Sequence, residues 1–149
     1  MNTFTTENNF PVKLEFRIDW SELDFFGHVN NVHFFKYIQA SRVNYWEAVG
    51  ITDQYEKTKV GPVLASTTCH FRKQLHYPGN ILVQSRMEFI KNTSFGIHHQ
   101  IVNDKNEIAA EAHDIIVVYD FNKNEKVLFP DDLRKEVEKL EQRKFDLMK

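Results

Sequence analysis

The groups that could do chemistry are concentrated in one stretch. Trp20-Ser21-Glu22-Leu23-Asp24-Phe25-Phe26-Gly27-His28-Val29-Asn30-Asn31 places an acid, a glycine turn, a histidine and two asparagines ahead of a long helical pattern. A helix start leaves several backbone N–H groups without partners and carries a partial positive charge. Such an end suits a polarised carbonyl or a developing oxyanion. Asp24 lies just upstream, where a carboxylate could act on water or attack the same carbonyl. The other reading of Asp24 is local, a loop-capping carboxylate that holds the helix start. His28 divides in the same way between a site residue and a hydrogen-bonded loop histidine. Gly27 would let backbone approach a substrate closely. Asn30 or Asn31 is the expected N-cap, and a cap would fix the very N–H groups a carbonyl needs.

The surrounding elements must hold that stretch in place. Val12-Lys13-Leu14-Glu15-Phe16-Arg17-Ile18 alternates apolar and polar residues, as a strand with one buried face does. From Asn31 to Val49 the period is helical, with Phe34, Phe35, Ile38, Tyr45, Trp46 and Val49 on one arc. Val32 and Val43 widen the arc, which predicts an enclosed helix, and Gly50 is the expected stop. Arg42 falls inside the arc, so either its head reaches water past a packed stem or it has a salt-bridge partner. Residues 51–62 read as a polar connection. Four strand-like runs follow, Val63–Gln74, Ile81–Lys91, Phe95–Val102 and Glu107–Phe121. A charged helix over 130–147 closes the chain, and residues 1–10 read as flexible. The order predicts an α+β domain spanning 1–149, a long central helix wrapped by one curved antiparallel sheet of about five strands. Such a sheet has a bare face or edge, and a second copy would cover it.

Bulk properties exclude several classes. The 149 residues suit one domain, and the 13 phenylalanines suggest a bulky core or a greasy pocket. The net charge of −2 gives no nucleic-acid signal. The single cysteine, Cys69, excludes an intrachain disulfide and reads as a buried structural thiol in a reducing compartment. With no signal peptide and no apolar run of about 18 residues, the expectation is a cytoplasmic protein with no membrane span.

Asp24-Phe25-Phe26-Gly27-His28-Val29-Asn30-Asn31, followed by Tyr37-Ile38-Gln39-Ala40-Ser41-Arg42, resembles the hotdog-fold thioesterases of the 4-hydroxybenzoyl-CoA thioesterase type. Trp20-Ser21-Glu22-Leu23-Asp24 and His28-Val29-Asn30-Asn31 also resemble the acyl-carrier-protein thioesterases. The resemblance implies a hotdog fold and hydrolysis of an acyl or aryl thioester of coenzyme A or acyl carrier protein. No cofactor is implied beyond that carrier, which is part of the substrate. It implies that Asp24 is the catalytic carboxylate, as nucleophile or general base. It implies that the backbone N–H at Asn31 meets the thioester carbonyl and that His28 belongs to the active site. Three positions depart from the relatives. Phe26 stands where the plant enzymes have asparagine, Gln39 where many have a helix glutamate, and Glu22 where many have aspartate.

Arg72-Lys73 and Lys91 could meet the phosphates of coenzyme A or the acidic face of a carrier protein. Gly27, Asn30, Arg72, Lys91 and Ser94 complete the expected substrate-binding set. The histidines show no metal-ligand spacing, and no phosphate-cradling glycine motif is present. Two alternatives share the same loop and fold: an acyl-thioester dehydratase or hydratase, and a non-catalytic protein that holds acyl-CoA. A homodimer or homotetramer is expected in each case.

Overall fold

The computed structural model describes residues 9–146. A first strand, β1 (Val12–Arg17), leads through a 3-10 turn at Trp20–Glu22 into the long helix α1 (Asn31–Val49). A short helix, α2 (Ile51–Thr58), precedes four long strands. These are β2 (Val60–Phe71), β3 (Asn80–Ile90), β4 (Ser94–Asn103) and β5 (Ile108–Asp120). A two-residue strand, β6 (Glu125–Lys126), and helix α3 (Asp131–Glu141) finish the chain. All strand pairs are antiparallel, in the order β1-β3-β4-β5-β2, with β6 paired to β5. This is the expected hotdog arrangement.

Several sequence-based expectations need correction. Residues 51–58 are helical rather than a polar connection. Ile51 is buried, Gly50 and Lys59 take left-handed conformations at the two ends, and two turns carry too little pattern to be read. The last helix stops at Glu141, not 147, because Gln142 is left-handed. The chain then turns back, Arg143 donates to the Met87 carbonyl, and Phe145 is buried. Residue 147 and residues 1–8 lie outside the described residues, but Phe10 is buried against the His98 ring rather than loose. In β2 a bulge between Leu64 and Ser66 breaks the alternation read from Val63 to Phe71.

Helix α1 is rotated from its expected arc. Tyr37 and Ser41 join Arg42 on the inward face, while Val32, Phe35 and Val43 remain exposed. The core consequently has two apolar clusters. One holds Tyr45, Val49, Met87, Ile97 and Ile116, and the other Phe34, Ile38, Val83, Ile101 and Ala112. Between them stand polar residues on four elements, Ser41 and Arg42 on α1, Ser85 on β3, His99 on β4 and Asp114 on β5, all buried. Arg42 Nε donates to Asp114 Oδ2 at 2.8 Å and an Nη donates to Oδ1 at 3.1 Å. His99 Nε2 lies 2.7 Å from Asp114 Oδ2, and Ser41 Oγ lies 2.8 Å from His99 Nδ1. The buried arginine thus has its partner inside the core.

Candidate active site

The loop between β1 and α1 is a closed structure. Leu23 and Val29 form a bridge, and Asp24 N–H donates to the His28 carbonyl at 2.7 Å. Asp24 Oδ1 accepts from Phe26 N–H at 2.9 Å and His28 N–H at 3.1 Å. Gly27 has φ +82°, a conformation other side chains rarely take, so the turn itself requires glycine; an added Cβ would meet nothing within 4 Å. The local reading of Asp24 is therefore satisfied by one oxygen. Among the described residues the other, Oδ2, has no hydrogen-bond partner.

Asn30 is the N-cap of α1, its side chain accepting from Val32 N–H at 2.9 Å. Its own N–H donates to the Glu22 carbonyl at 2.9 Å. Glu22 is built into this support. Its Oε1 accepts from Asp19 N–H and from the Tyr37 hydroxyl, at 2.8 and 2.7 Å. Burial, reinforced by Glu22, raises the Tyr37 hydroxyl well above its ordinary range, so it stays a donor. Among the described residues the N–H of Asn31 has no acceptor. A free donor at the first turn of a 19-residue helix is what a carbonyl oxygen needs.

A second segment closes the site. Val29 N–H donates to the Leu75 carbonyl at 2.9 Å, and His28 pairs with His76, their rings edge to face at 4.9 Å. This docks residues 71–76 against the loop and forms a pocket of about 200 Å³. Asp24, His28 and Asn31 line it, with Phe34, Phe71 and the run Arg72–Gln74. The Phe34 and Phe71 rings meet edge to face at 5.1 Å, making its apolar wall.

The expected site residues thus separate. Asp24, His28, Asn31 and Arg72 come together, and Gly27 and Asn30 shape the loop and the cap beside them. Lys91 and Ser94 do not join them in this chain. Ser94 pairs with Val117, seven residues along β5 from Ala110, the partner of Phe71, or about 23 Å away. The Lys91 ammonium sits over the Phe89 ring at 5.1 Å. Phe26, at the position of the relatives' asparagine, projects into solvent against Phe25. Phe34, Phe71 and Gln74 also line the pocket; Phe34 follows Asn31 by one helical turn, whereas only the docking of two distant segments brings in Phe71 and Gln74. Cys69 is half-buried, and burial pushes its thiol up to about 11. Among the described residues no group of three His, Cys, Asp or Glu could hold a metal ion, and no helix is long and apolar enough to cross a membrane.

The pattern of the thioesterase-like superfamily matches residues 18–137, covering the loop, α1, the sheet and most of α3. The chain belongs to this superfamily. A curated relative, the uncharacterized protein YsmA of Bacillus subtilis, is 26% identical over 82 residues. That match covers 55% of this chain and 54% of the relative, so the match spans about half of the relative's length. Among solved structures, a thioesterase of Thermus thermophilus complexed with coenzyme A and zinc aligns with TM-score 0.80 and 22% identity. The alignment covers 91% of this chain and 97% of that one. DHNA-CoA thioesterase of Staphylococcus aureus aligns with TM-score 0.75 and 17% identity, covering 92% and 98%. At these identities the likeness is one of fold.

Proposed function

We propose that the protein hydrolyses an acyl or aryl thioester of coenzyme A or acyl carrier protein to a free acid and a thiol. One observation carries the reading. Asp24, whose Oδ2 has no hydrogen-bond partner among the described residues, and Asn31, whose N–H is free, line the same small pocket against an aromatic wall. The Asn31 N–H polarises the thioester carbonyl and takes up the oxyanion. Asp24 removes a proton from water as the water oxygen bonds to the carbonyl carbon, and the proton passes to the departing thiolate. In the covalent variant, Asp24 Oδ2 bonds to the carbon first as the C–S bond breaks and the thiolate departs; water then cleaves the mixed anhydride, and its proton goes to the thiolate. Phe34, Phe35 and Phe71 favour an apolar acyl or aryl group, and the coenzyme A thioesterases among the structural relatives support that carrier class.

The reading includes a second copy. β2 is an edge of the sheet, and Val63–Phe71 contains neither charge nor proline. Such an edge offers a row of unpaired backbone groups to another strand. Phe71 ends β2 and lines the pocket, so pairing there puts the site at the subunit boundary.

The test is a hydrolysis panel of acyl-CoA esters from short to long plus an aryl ester, with the wild type and Asp24→Asn. Turnover that falls by about 10²–10⁴-fold in the variant supports the reading; unchanged turnover removes Asp24 from the mechanism. Dehydration of a 3-hydroxyacyl thioester without hydrolysis would reassign the enzyme as a dehydratase.

A further inference from the structure

The His28 imidazole lines the reactive pocket, yet nothing in its own loop holds the ring. The backbone is engaged: His28 N–H donates to Asp24 Oδ1 at 3.1 Å, and its carbonyl accepts from Asp24 N–H at 2.7 Å. Among the described residues neither ring nitrogen makes a hydrogen bond. The ring is half-buried, so both nitrogens are open to substrate or water. A group that acts on a substrate must be kept in one geometry. The contact that does this comes from a distant part of the chain. It is the His76 ring, with centroids 4.9 Å apart and planes at 77°. We propose that His76 is a positioning residue: its ring holds the His28 imidazole in the rotamer that presents a nitrogen to the reacting thioester. The inference rests on the thioester-hydrolase reading of the pocket.

His76 can do this because its own backbone is pinned on both sides. It forms a bridge with His28, and the preceding carbonyl, of Leu75, accepts from Val29 N–H at 2.9 Å. Leu75 is buried in the cluster that holds Ile18, Val29 and Phe34. Three residues beyond His76, the Gly79 carbonyl accepts from Ile18 N–H at 2.9 Å. The turn closes this tightly only with glycine: a Cβ at position 79 would come within 2.8 Å of the His76 carbonyl oxygen. An edge-to-face contact fixes the angle between two rings as well as their separation, so a pinned His76 transmits its orientation to His28. His76 lines the neighbouring cavity and not the pocket at Asp24. It therefore acts through His28 rather than by touching the thioester.

The test separates the ring's position from turnover, on the full chain. Scalar couplings measured by NMR report one χ1 rotamer for His28 in the wild type and in His76→Phe, which keeps an edge-to-face partner. They report averaging in His76→Ala and His76→Gln, which have no ring. With an acyl-CoA ester, His76→Ala and His76→Gln lower kcat by about tenfold or more and leave KM within about twofold. His76→Phe stays within about threefold of the wild-type kcat. In a His28→Ala background, His76→Ala changes kcat by less than about twofold, because the group it positions is gone. Unchanged kcat in His76→Ala overturns the proposal. Equal losses with and without the His28 ring overturn it too, since a merely stabilising contact acts in both backgrounds. A single His28 rotamer in His76→Ala overturns it whatever the turnover. Averaging on loss of the His76 ring, in a protein that hydrolyses no thioester, upholds the positioning and removes the hydrolase reading.

Discussion

Asp24 divides its two oxygens between structure and chemistry, and this makes its variants informative. Asparagine keeps an oxygen that can accept from the Phe26 and His28 N–H groups. Asp24→Asn should therefore retain the loop, with a thermal midpoint close to wild type, while losing the reactive carboxylate. Asp24→Ala loses both bonds and should be less stable by about 1–3 kcal/mol in a urea titration. If the two variants melt alike, Oδ1 is not holding the loop. Among the buried groups, His99 has its pKa lowered by burial, which outweighs the hydrogen bond to Asp114. Burial would raise Asp114, but hydrogen bonds from His99 and Arg42 hold it down at about 2. The signs follow from which state binds protons. Below about pH 6.5 the unfolded chain protonates this histidine and the folded one resists, so stability falls as pH falls. Asp114 adds a loss only between about pH 4 and pH 2. Denaturation at pH 7 and pH 5 should show the lower stability at pH 5. His98 shifts in the same direction through burial, so His99→Gln should reduce the slope without abolishing it.

At the scale of elements, α1 delivers the reactive N–H, and two devices set its position. The Asn30 cap holds its first turn, and Asn30→Ala should destabilise by about 1 kcal/mol and lower kcat more than it alters KM. The bonds from Ser41 and Arg42 to His99 and Asp114 hold its middle to the sheet. A buried ion pair is weak evidence for stability, but removing one partner leaves an uncompensated charge. Asp114→Ala should cost about 3–5 kcal/mol, and the double change Arg42→Met, Asp114→Leu should recover much of it, as chemical denaturation would measure. Strands and the long helix were legible because their periodicity is local. The rotation of α1 was not, because Ser41 looks polar until His99, 58 residues away, supplies its bond; Arg42 was placed inside the arc, but its partner Asp114, 72 residues away, was not readable. Residue types pointed to the Asp24 loop but left its carboxylate open between capping and chemistry, and the structure gives Oδ1 the local role. The pocket wall was not legible, because Phe71 and Gln74 reach it through the Val29–Leu75 bond, which leaves no trace in spacing.

At the scale of the whole molecule, the β2 edge predicts assembly. Light scattering should give a multiple of the 17.7 kDa chain. Thr68→Lys, which places a charge in the middle of that edge, should shift the population to monomer and reduce turnover together. A monomeric wild type with full activity would remove the second copy from the reading. The 19-residue length of α1, about 28 Å, also sets how the molecule is laid out. Its first turn meets the Asp24 loop, whereas Tyr45 near its last turn is bonded to Glu141 of α3, within the cluster that holds Leu133 and Val137. The C-terminal helix is thus a plug at the opposite pole from the reactive mouth. A fluorescent reporter or surface tether attached to the exposed face of α3 would leave the mouth unobstructed, so a chain immobilised there still meets its ligands in solution.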